Sequence, residues 1–137
     1  MDRLAKVYID GASKGNPGPS GIGVLILDEH EKEIKQISEK IIDTTNNVAE
    51  YRALIRGIGE CRALGFSSAY FFTDSQLLAN QINGVYKIKN EKLKPLYVKA
   101  KGALLGFKRW KVTHIPRDEN IVADRLANES FKKKNSQ

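Results

Sequence analysis

The chain has 137 residues, 41% of them hydrophobic and 28% charged, which suits one globular domain with its own hydrophobic core. Its net charge of +7 favours a polyanionic partner, most often a nucleic acid. The single cysteine, Cys61, excludes an intrachain disulfide and a cysteine-based zinc site, and is consistent with a reducing compartment. No signal peptide opens the sequence, and no apolar run approaches the roughly 18 residues of a membrane span. We therefore expect a cytoplasmic protein with no membrane partner.

The predicted elements follow the order β-β-β-α-β-α-α-β-α. The glycine- and proline-rich stretch 11–18 predicts a loop after the first strand. Strands are predicted at 4–10, 21–28, 33–42, 68–74 and 109–115, and helices at 46–64, 75–83, 91–105 (broken near Pro95) and 119–133. A hairpin followed by alternating helices and strands indicates an α/β fold, with a mixed sheet covered by helices.

Lysines concentrate in the stretch 86–102, which follows the second predicted helix and runs into the third, and at the end of the chain, in "FKKKNSQ". They form either a solvated face with a flexible tail from about residue 132, or a patch that binds a nucleic-acid backbone. The lysines of the first group stand at 87, 89, 92, 94, 99 and 101.

Four acidic residues each have an ordinary explanation. Asp10 suits a turn that opens the glycine-rich loop. Glu50 follows Asn47 by three residues, as in a capping box, and Asp74 precedes a helix that it could cap. Asp124 suits the positive end of the last helix.

Together the same residues favour a metal site. Asp10 and Asp74 follow strands at the sheet edge where α/β proteins bind ligands, and the helical period turns Glu50 and Asp124 inward. Converging carboxylates repel one another by several kcal/mol at about 4 Å, unless divalent cations neutralise them. All-oxygen ligands favour Mg²⁺ or Mn²⁺ over zinc.

Four segments carry these acids, and they resemble the successive signatures of type 1 ribonuclease H: "YIDGASKGNPGPSGIG", "TTNNVAEYRAL", "TDSQLLANQI" and "NIVADRLAN". The resemblance covers roughly residues 4–130. It implies a ribonuclease H-like fold, with a five-stranded mixed sheet flanked by helices, and an endonuclease that cleaves the RNA strand of RNA–DNA hybrids.

The same resemblance implies the metal ligands. Asp10, Glu50 and Asp74 match the ligands of one Mg²⁺, and Asp10 and Asp124 match those of a second, with Mn²⁺ as a substitute. A displacement clamped by two ions leaves 5′-phosphate and 3′-hydroxyl ends.

The family match also implies contacts to the hybrid. The ribose 2′-hydroxyl distinguishes RNA from DNA, and short polar groups are expected to read it. Asn16 and Thr45 match positions that grip a DNA-strand phosphate, and Asn120 matches an asparagine near the site. Asn47, Gln76 and Asn120 serve equally well as helix-start residues. The full set of expected substrate contacts is Gly11, Ser13, Asn16, Thr45, Asn46, Asn47, Gln76 and Asn120.

Two residues compete for the auxiliary catalytic role that the family assigns to a histidine before its last aspartate. His114 stands ten residues before Asp124, but it could instead be a packed residue of the last strand. Arg117, in the short connection that follows, is the alternative cation.

The sequence lacks the long basic protrusion of some family members, so we expect a single catalytic domain over 1–137, acting as a monomer, with modest and salt-dependent affinity. Two other functions stay open. One is a metal nuclease of the same fold acting on DNA or double-stranded RNA; the other is a hybrid-binding module without catalysis.

Overall fold

The computed structural model describes residues 2–132. The strands are β1 (Leu4–Ser13), β2 (Gly18–Leu27), β3 (Glu33–Thr44), β4 (Ser68–Thr73) and β5 (Arg109–His114). The helices are α1 (Asn46–Ala63), α2 (Gln76–Ile82), α3 (Lys94–Leu104) and α4 (Ile121–Glu129), with 3-10 turns at Arg117–Glu119 and Ser130–Lys132. The expected flexible tail lies outside the described residues from position 133 onward.

The strands form one five-stranded mixed sheet in the order β3-β2-β1-β4-β5. The β1–β2 and β2–β3 pairs are antiparallel, whereas β1–β4 and β4–β5 are parallel. This confirms the predicted α/β fold class and order of the main elements. Among the described residues, no helix combines the length and apolarity that crossing a bilayer requires.

The predicted loop at 11–18 is wrong at both ends. Residues 11–13 continue β1 and pair with residues 20–22 of β2, so only 14–17 connect the two strands. Glycine weakens a strand but also permits another backbone to approach it closely. Gly11 serves that second purpose, because the backbone of α1 at Ala49 lies directly against it, and composition alone does not reveal this.

Other predicted boundaries shift by a few residues. Pro95 lies in the first turn of α3, where its missing N–H costs no hydrogen bond, so it starts that helix and does not break it. The last helix begins at Ile121 after a separate 3-10 turn, two residues later than predicted. Strand β3 extends to Thr44 and meets α1 almost directly.

Helices α1 and α4 cover opposite faces of the sheet. Gly57 of α1 lies against Val7 and Ile9, so odd-numbered residues of β1 face α1. Gly23 of β2 faces α4, and its partner in register is Asp10. The Asp10 side chain therefore projects on the α4 side, while Gly11 presents its backbone to α1.

The core is continuous across the α1 face. Its largest fully buried side chains include Leu54 and Ile58 of α1 and Phe71 of β4. Cys61 is also buried, and this desolvation raises the pKa of its thiol to about 12, so it behaves as a small apolar residue.

Close contact between α4 and β2 depends on Gly23. A Cβ atom there would lie 2.2 Å from the Ala123 carbonyl oxygen and 2.6 Å from the Ala127 nitrogen. Gly23→Ala should therefore destabilise the protein by about 1–3 kcal/mol, the usual cost of overpacking, in urea unfolding followed by circular dichroism.

Gly59→Ala is the matched control. Gly59 is exposed within α1, and a Cβ there meets no atom within 4 Å. Alanine should raise stability by about 0.5–1 kcal/mol through helix propensity. Equal effects of the two substitutions would contradict the proposed close contact at Gly23.

Candidate active site

Asp10 lies inside β1, one residue beyond the last pair of the β1–β4 ladder, Ile9 with Thr73. It pairs with Gly23 on the β2 side and is 5% exposed. The turn expected to begin at Asp10 is therefore wrong, because the chain stays extended to Ser13. The ladder with β4 ends at the preceding residue, so Asp10 lies just past the last paired residue of β4.

Glu50 points inward from the first turns of α1. The helix is capped by Thr45, whose hydroxyl accepts a hydrogen bond from the Val48 amide at 3.3 Å, so the expected capping box with Asn47 is wrong. Glu50 Oε1 instead accepts the Gly11 amide at 2.7 Å. This bond is possible because glycine has no Cβ atom, which at this position would lie 2.2 Å from the Ala49 carbonyl carbon and would force α1 away from β1.

Asp74 follows β4 and does not cap α2. Ser75 holds that position, and its hydroxyl accepts the Leu78 amide at 3.1 Å. Asp74 Oδ2 is buried and has no hydrogen-bond partner among the described residues. Oxygen atoms of Asp10, Glu50 and Asp74 all lie within 4.8 Å of one another.

Asp124 approaches this cluster from α4 but stands outside the three-carboxylate group. Its carboxylate acts on Asp10 and raises the pKa of that carboxyl group. Asn128 Nδ2 lies 3.3 Å from Asp124 Oδ1. The sequence interpretation missed Asn128, although its spacing of four residues from Asp124 places both side chains on one helix face.

The cluster is electrostatically strained. Desolvation raises the pKa of Asp10 well above its ordinary value, and the charges of Glu50, Asp74 and Asp124 raise it further. Burial also raises the pKa of Glu50, while its hydrogen bond from Gly11 and the charge of Arg117 oppose that rise. Each unfavourable effect would be relieved by positive charge placed among the carboxylates.

These residues fit a hard divalent cation. Their donors are all oxygen, as Mg²⁺ and Mn²⁺ prefer, and none is sulfur or imidazole. The buried Asp74 Oδ2, which forms no hydrogen bond within the described part of the chain, is an oxygen donor of the required type.

His114 and Arg117 both lie near the end of β5 in the chain. His114 ends β5 opposite Thr73, the residue before Asp74, and is exposed, so it is not the packed strand residue that the sequence left open. Arg117 is also exposed, and its charge acts on Glu50. The auxiliary role of either residue stays a prediction.

Several expected substrate contacts line the rim beside α1. Asn16 Oδ1 accepts the Asn46 amide at 3.0 Å, which joins the β1–β2 connection to the start of α1. The Ser13 hydroxyl donates to the Thr44 carbonyl at 2.8 Å. Asn46 is exposed, and Thr45 beside it is half-buried and caps α1.

The remaining expected contacts differ in exposure. Asn47 and Gln76 are exposed at the starts of α1 and α2. Gly11 is buried and has no side chain, and Asn120 is 1% exposed, so its side chain does not reach the surface. All these contacts stay predictions.

The lysine-rich segment joins α2 to α3 and continues into α3. Lys101 is half-buried, lies 5.1 Å from the Trp110 ring centre, and donates to the Ile82 carbonyl. Lys94 pairs with Glu91 at 2.6 Å. The other lysines of the group (87, 89, 92 and 99) are exposed, beside exposed Val85 and Tyr86.

Comparison with known proteins matches residues 8–130 to the model of the family described as reverse transcriptase-like. The "Bifunctional protein Rv2228c" of Mycobacterium tuberculosis is 40% identical over 126 residues, which are 91% of this chain and 35% of that protein. The chain thus spans about a third of the length of this mycobacterial relative.

Two solved structures are similar to this chain over nearly their whole length. Ribonuclease H1 from the archaeon Halobacterium salinarum has a TM-score of 0.92 and 36% identity, over 94% of this chain and 98% of that one. LC11-RNase H1, solved in complex with an RNA/DNA hybrid, has a TM-score of 0.88 and 38% identity, over 93% of this chain and 96% of that one. With the carboxylates assembled on this fold and likeness of that extent, the chain belongs to the ribonuclease HI family.

Proposed function

We propose that this protein is a ribonuclease H, a metal-dependent endonuclease that hydrolyses the RNA strand of RNA–DNA hybrids. The observation that carries the proposal is that oxygen atoms of Asp10, Glu50 and Asp74 lie within 4.8 Å of one another, and that a buried oxygen of Asp74 has no hydrogen-bond partner within residues 2–132. The similarity to LC11-RNase H1, whose structure contains an RNA/DNA hybrid, supports the choice of substrate.

Asp10, Glu50 and Asp74 would hold one Mg²⁺, and Asp10 and Asp124 a second, with Mn²⁺ as a substitute. Bound at these carboxylates, divalent cations supply an activated water and stabilise the departing ribose 3′-oxygen. That chemistry yields 5′-phosphate and 3′-hydroxyl ends. Two groups of the chain favour the charged form of Glu50: the Gly11 amide, which donates to its carboxylate, and the positive charge of Arg117, and both oppose the rise in pKa that burial causes.

Polar groups around the carboxylates would select the RNA strand. Asn46 and Asn47 at the start of α1 and Gln76 at the start of α2 present exposed amides on either side of the cluster. Amide groups can both donate to and accept from a 2′-hydroxyl. Asn16 and Thr45, held together by the contact with Asn46, would bind a phosphate of the DNA strand.

The basic surface would supply affinity that does not depend on sequence. Lysines 87, 89, 92 and 99 are exposed and form no ion pair with a described residue. Phosphate contacts of this kind weaken as the salt concentration rises, because the release of condensed counterions from the duplex then gains less free energy. Because the segment is short, we expect modest affinity.

A hybrid-binding module without catalysis is the less favoured function. Binding alone would not require carboxylates to be buried together with raised pKa values, because such a cluster is costly to maintain. A nuclease acting on DNA or double-stranded RNA would use the same carboxylates, so substrate assays must separate it.

Asp10→Asn should abolish cleavage, because it removes a charged ligand from the centre of the cluster while preserving its shape. The assay uses a hybrid labelled on both strands, incubated with Mg²⁺, Mn²⁺ or EDTA beside single-stranded and duplex controls. The wild type should cut only the RNA strand, only with a divalent cation, and leave 3′-hydroxyl ends.

Asp43→Asn is the control, since Asp43 is an exposed aspartate of β3 outside the cluster. It should retain full activity. Cleavage by the wild type in EDTA, cleavage of the DNA strand, or normal turnover by Asp10→Asn would each contradict the proposed function.

Arg117→Ala should lower kcat more than His114→Ala does at saturating Mg²⁺. Arg117 acts directly on the charge of Glu50, and loss of a group that supports a metal ligand costs about 10–100-fold. Arg117→Lys should recover part of the rate, since it keeps the charge. A larger fall for His114→Ala would instead assign the auxiliary role to the histidine.

A further inference from the structure

Asn120 is hydrogen-bonded to strand β1 at the residue before Asp10. It stands between the 3-10 turn Arg117–Glu119 and α4, and it is 1% exposed. Its side-chain Nδ2 donates to the Ile9 carbonyl at 2.9 Å. The Ile9 carbonyl belongs to the peptide group that joins Ile9 to Asp10, so this bond holds the backbone directly before the central carboxylate.

The backbone of the same residue is bonded to Asp124. The Asn120 carbonyl accepts the Asp124 amide at 3.1 Å, and the Asn120 amide donates to the Arg117 carbonyl at 3.0 Å. One residue thus contacts the peptide before Asp10 and the peptide nitrogen of Asp124. These two carboxylates come from β1 and α4, which the sequence places far apart.

The side chain of Asn120 does not serve the start of its own helix. Asparagine is a favoured N-cap residue, yet here the side chain makes no capping hydrogen bond. Its Oδ1 is buried and has no hydrogen-bond partner among the described residues, which is unfavourable. A serine could cap α4 without burying an unpaired amide oxygen, so the link to Ile9 explains the asparagine better than capping does.

We propose that Asn120 is a positioning residue of the metal site, holding α4 against the end of β1 so that the carboxylates of Asp10 and Asp124 keep the separation a cation requires. The inference rests on the proposed function, because it takes both carboxylates as ligands. A side chain buried this deeply acts through Asp10 and Asp124 and does not contact the hybrid.

The test compares Asn120→Ala and Asn120→Ser with Asn83→Ala. Asn83 is the matched control, since its Nδ2 also donates to a strand carbonyl, that of Val112, at 2.8 Å. Mn²⁺ binding is measured by calorimetry without substrate, and the Mg²⁺ dependence of cleavage is measured separately. Circular dichroism and thermal melting establish that each variant is folded.

Both Asn120 variants should weaken Mn²⁺ binding and raise the half-saturating Mg²⁺ concentration by about tenfold, as loss of a group behind a metal ligand does. The KM for hybrid should stay at the wild-type value, because Asn120 does not touch the substrate. Asn83→Ala should leave metal binding unchanged, whatever its effect on the melting temperature.

Two results would overturn the positioning role. If Asn120→Ser binds Mn²⁺ as the wild type does, Asn120 only starts α4. If Asn83→Ala weakens metal binding as much as Asn120→Ala, the effect is general destabilisation. If the wild type binds Mn²⁺ and cleaves hybrid, and the Asn120 variants match it in both measurements, the positioning role is refuted but the proposed function stands. A wild type that neither binds Mn²⁺ nor cleaves hybrid refutes the proposed function as well.

Discussion

The backbone of β1 at Gly11 lies directly beneath the first turns of α1, and the arrangement of the carboxylates depends on that contact. A Cβ at this position would meet the Ala49 carbonyl carbon at 2.2 Å, so any other residue would push the helix away from the strand. At this short range the Gly11 amide donates to Glu50 at 2.7 Å and holds that carboxylate beside Asp10. The contact between α4 and Gly23 does the same from the opposite face, where it brings Asp124 to Asp10.

The two close contacts hold acidic groups in a conformation that their own charges oppose. Burial and mutual repulsion raise the pKa of Asp10, and burial raises that of Glu50. Packing of the surrounding helices must offset this cost, as is common where a protein preorganises a functional site. A cation bound at these carboxylates would relieve that cost, and the charge of Arg117 already favours the ionised form of Glu50.

The fold class and the inward orientation of the acidic residues could be predicted because they depend on patterns within short segments. The helical period of α1, for example, already turned Glu50 inward with Leu54 and Ile58. Local detail was harder. The segment "TTNN" offers four good capping residues, so the choice of Thr45 over Asn47 could not be read from it. A strand against which a helix packs closely can be as rich in glycine as a loop, so the composition of residues 11–18 did not reveal that β1 continues to Ser13. The hydrogen bond from Asn120 to Ile9 joins residues 111 positions apart, so no pattern within a short segment predicts it.

The most direct test is the thermal stability of the metal-free protein from about pH 5 to about pH 9. Because the folded pKa values of Asp10 and Glu50 are raised, the folded protein keeps protons that the unfolded chain has released, so stability should fall as pH rises. Excess Mg²⁺ should restore it, by about 2.7 kcal/mol at a hundred times its Kd, or about 5–10 °C in Tm. The gain should be larger at the higher pH and smaller in Asp10→Asn. A wild type whose pH profile matches that of Asp10→Asn, with no response to Mg²⁺, would contradict the account.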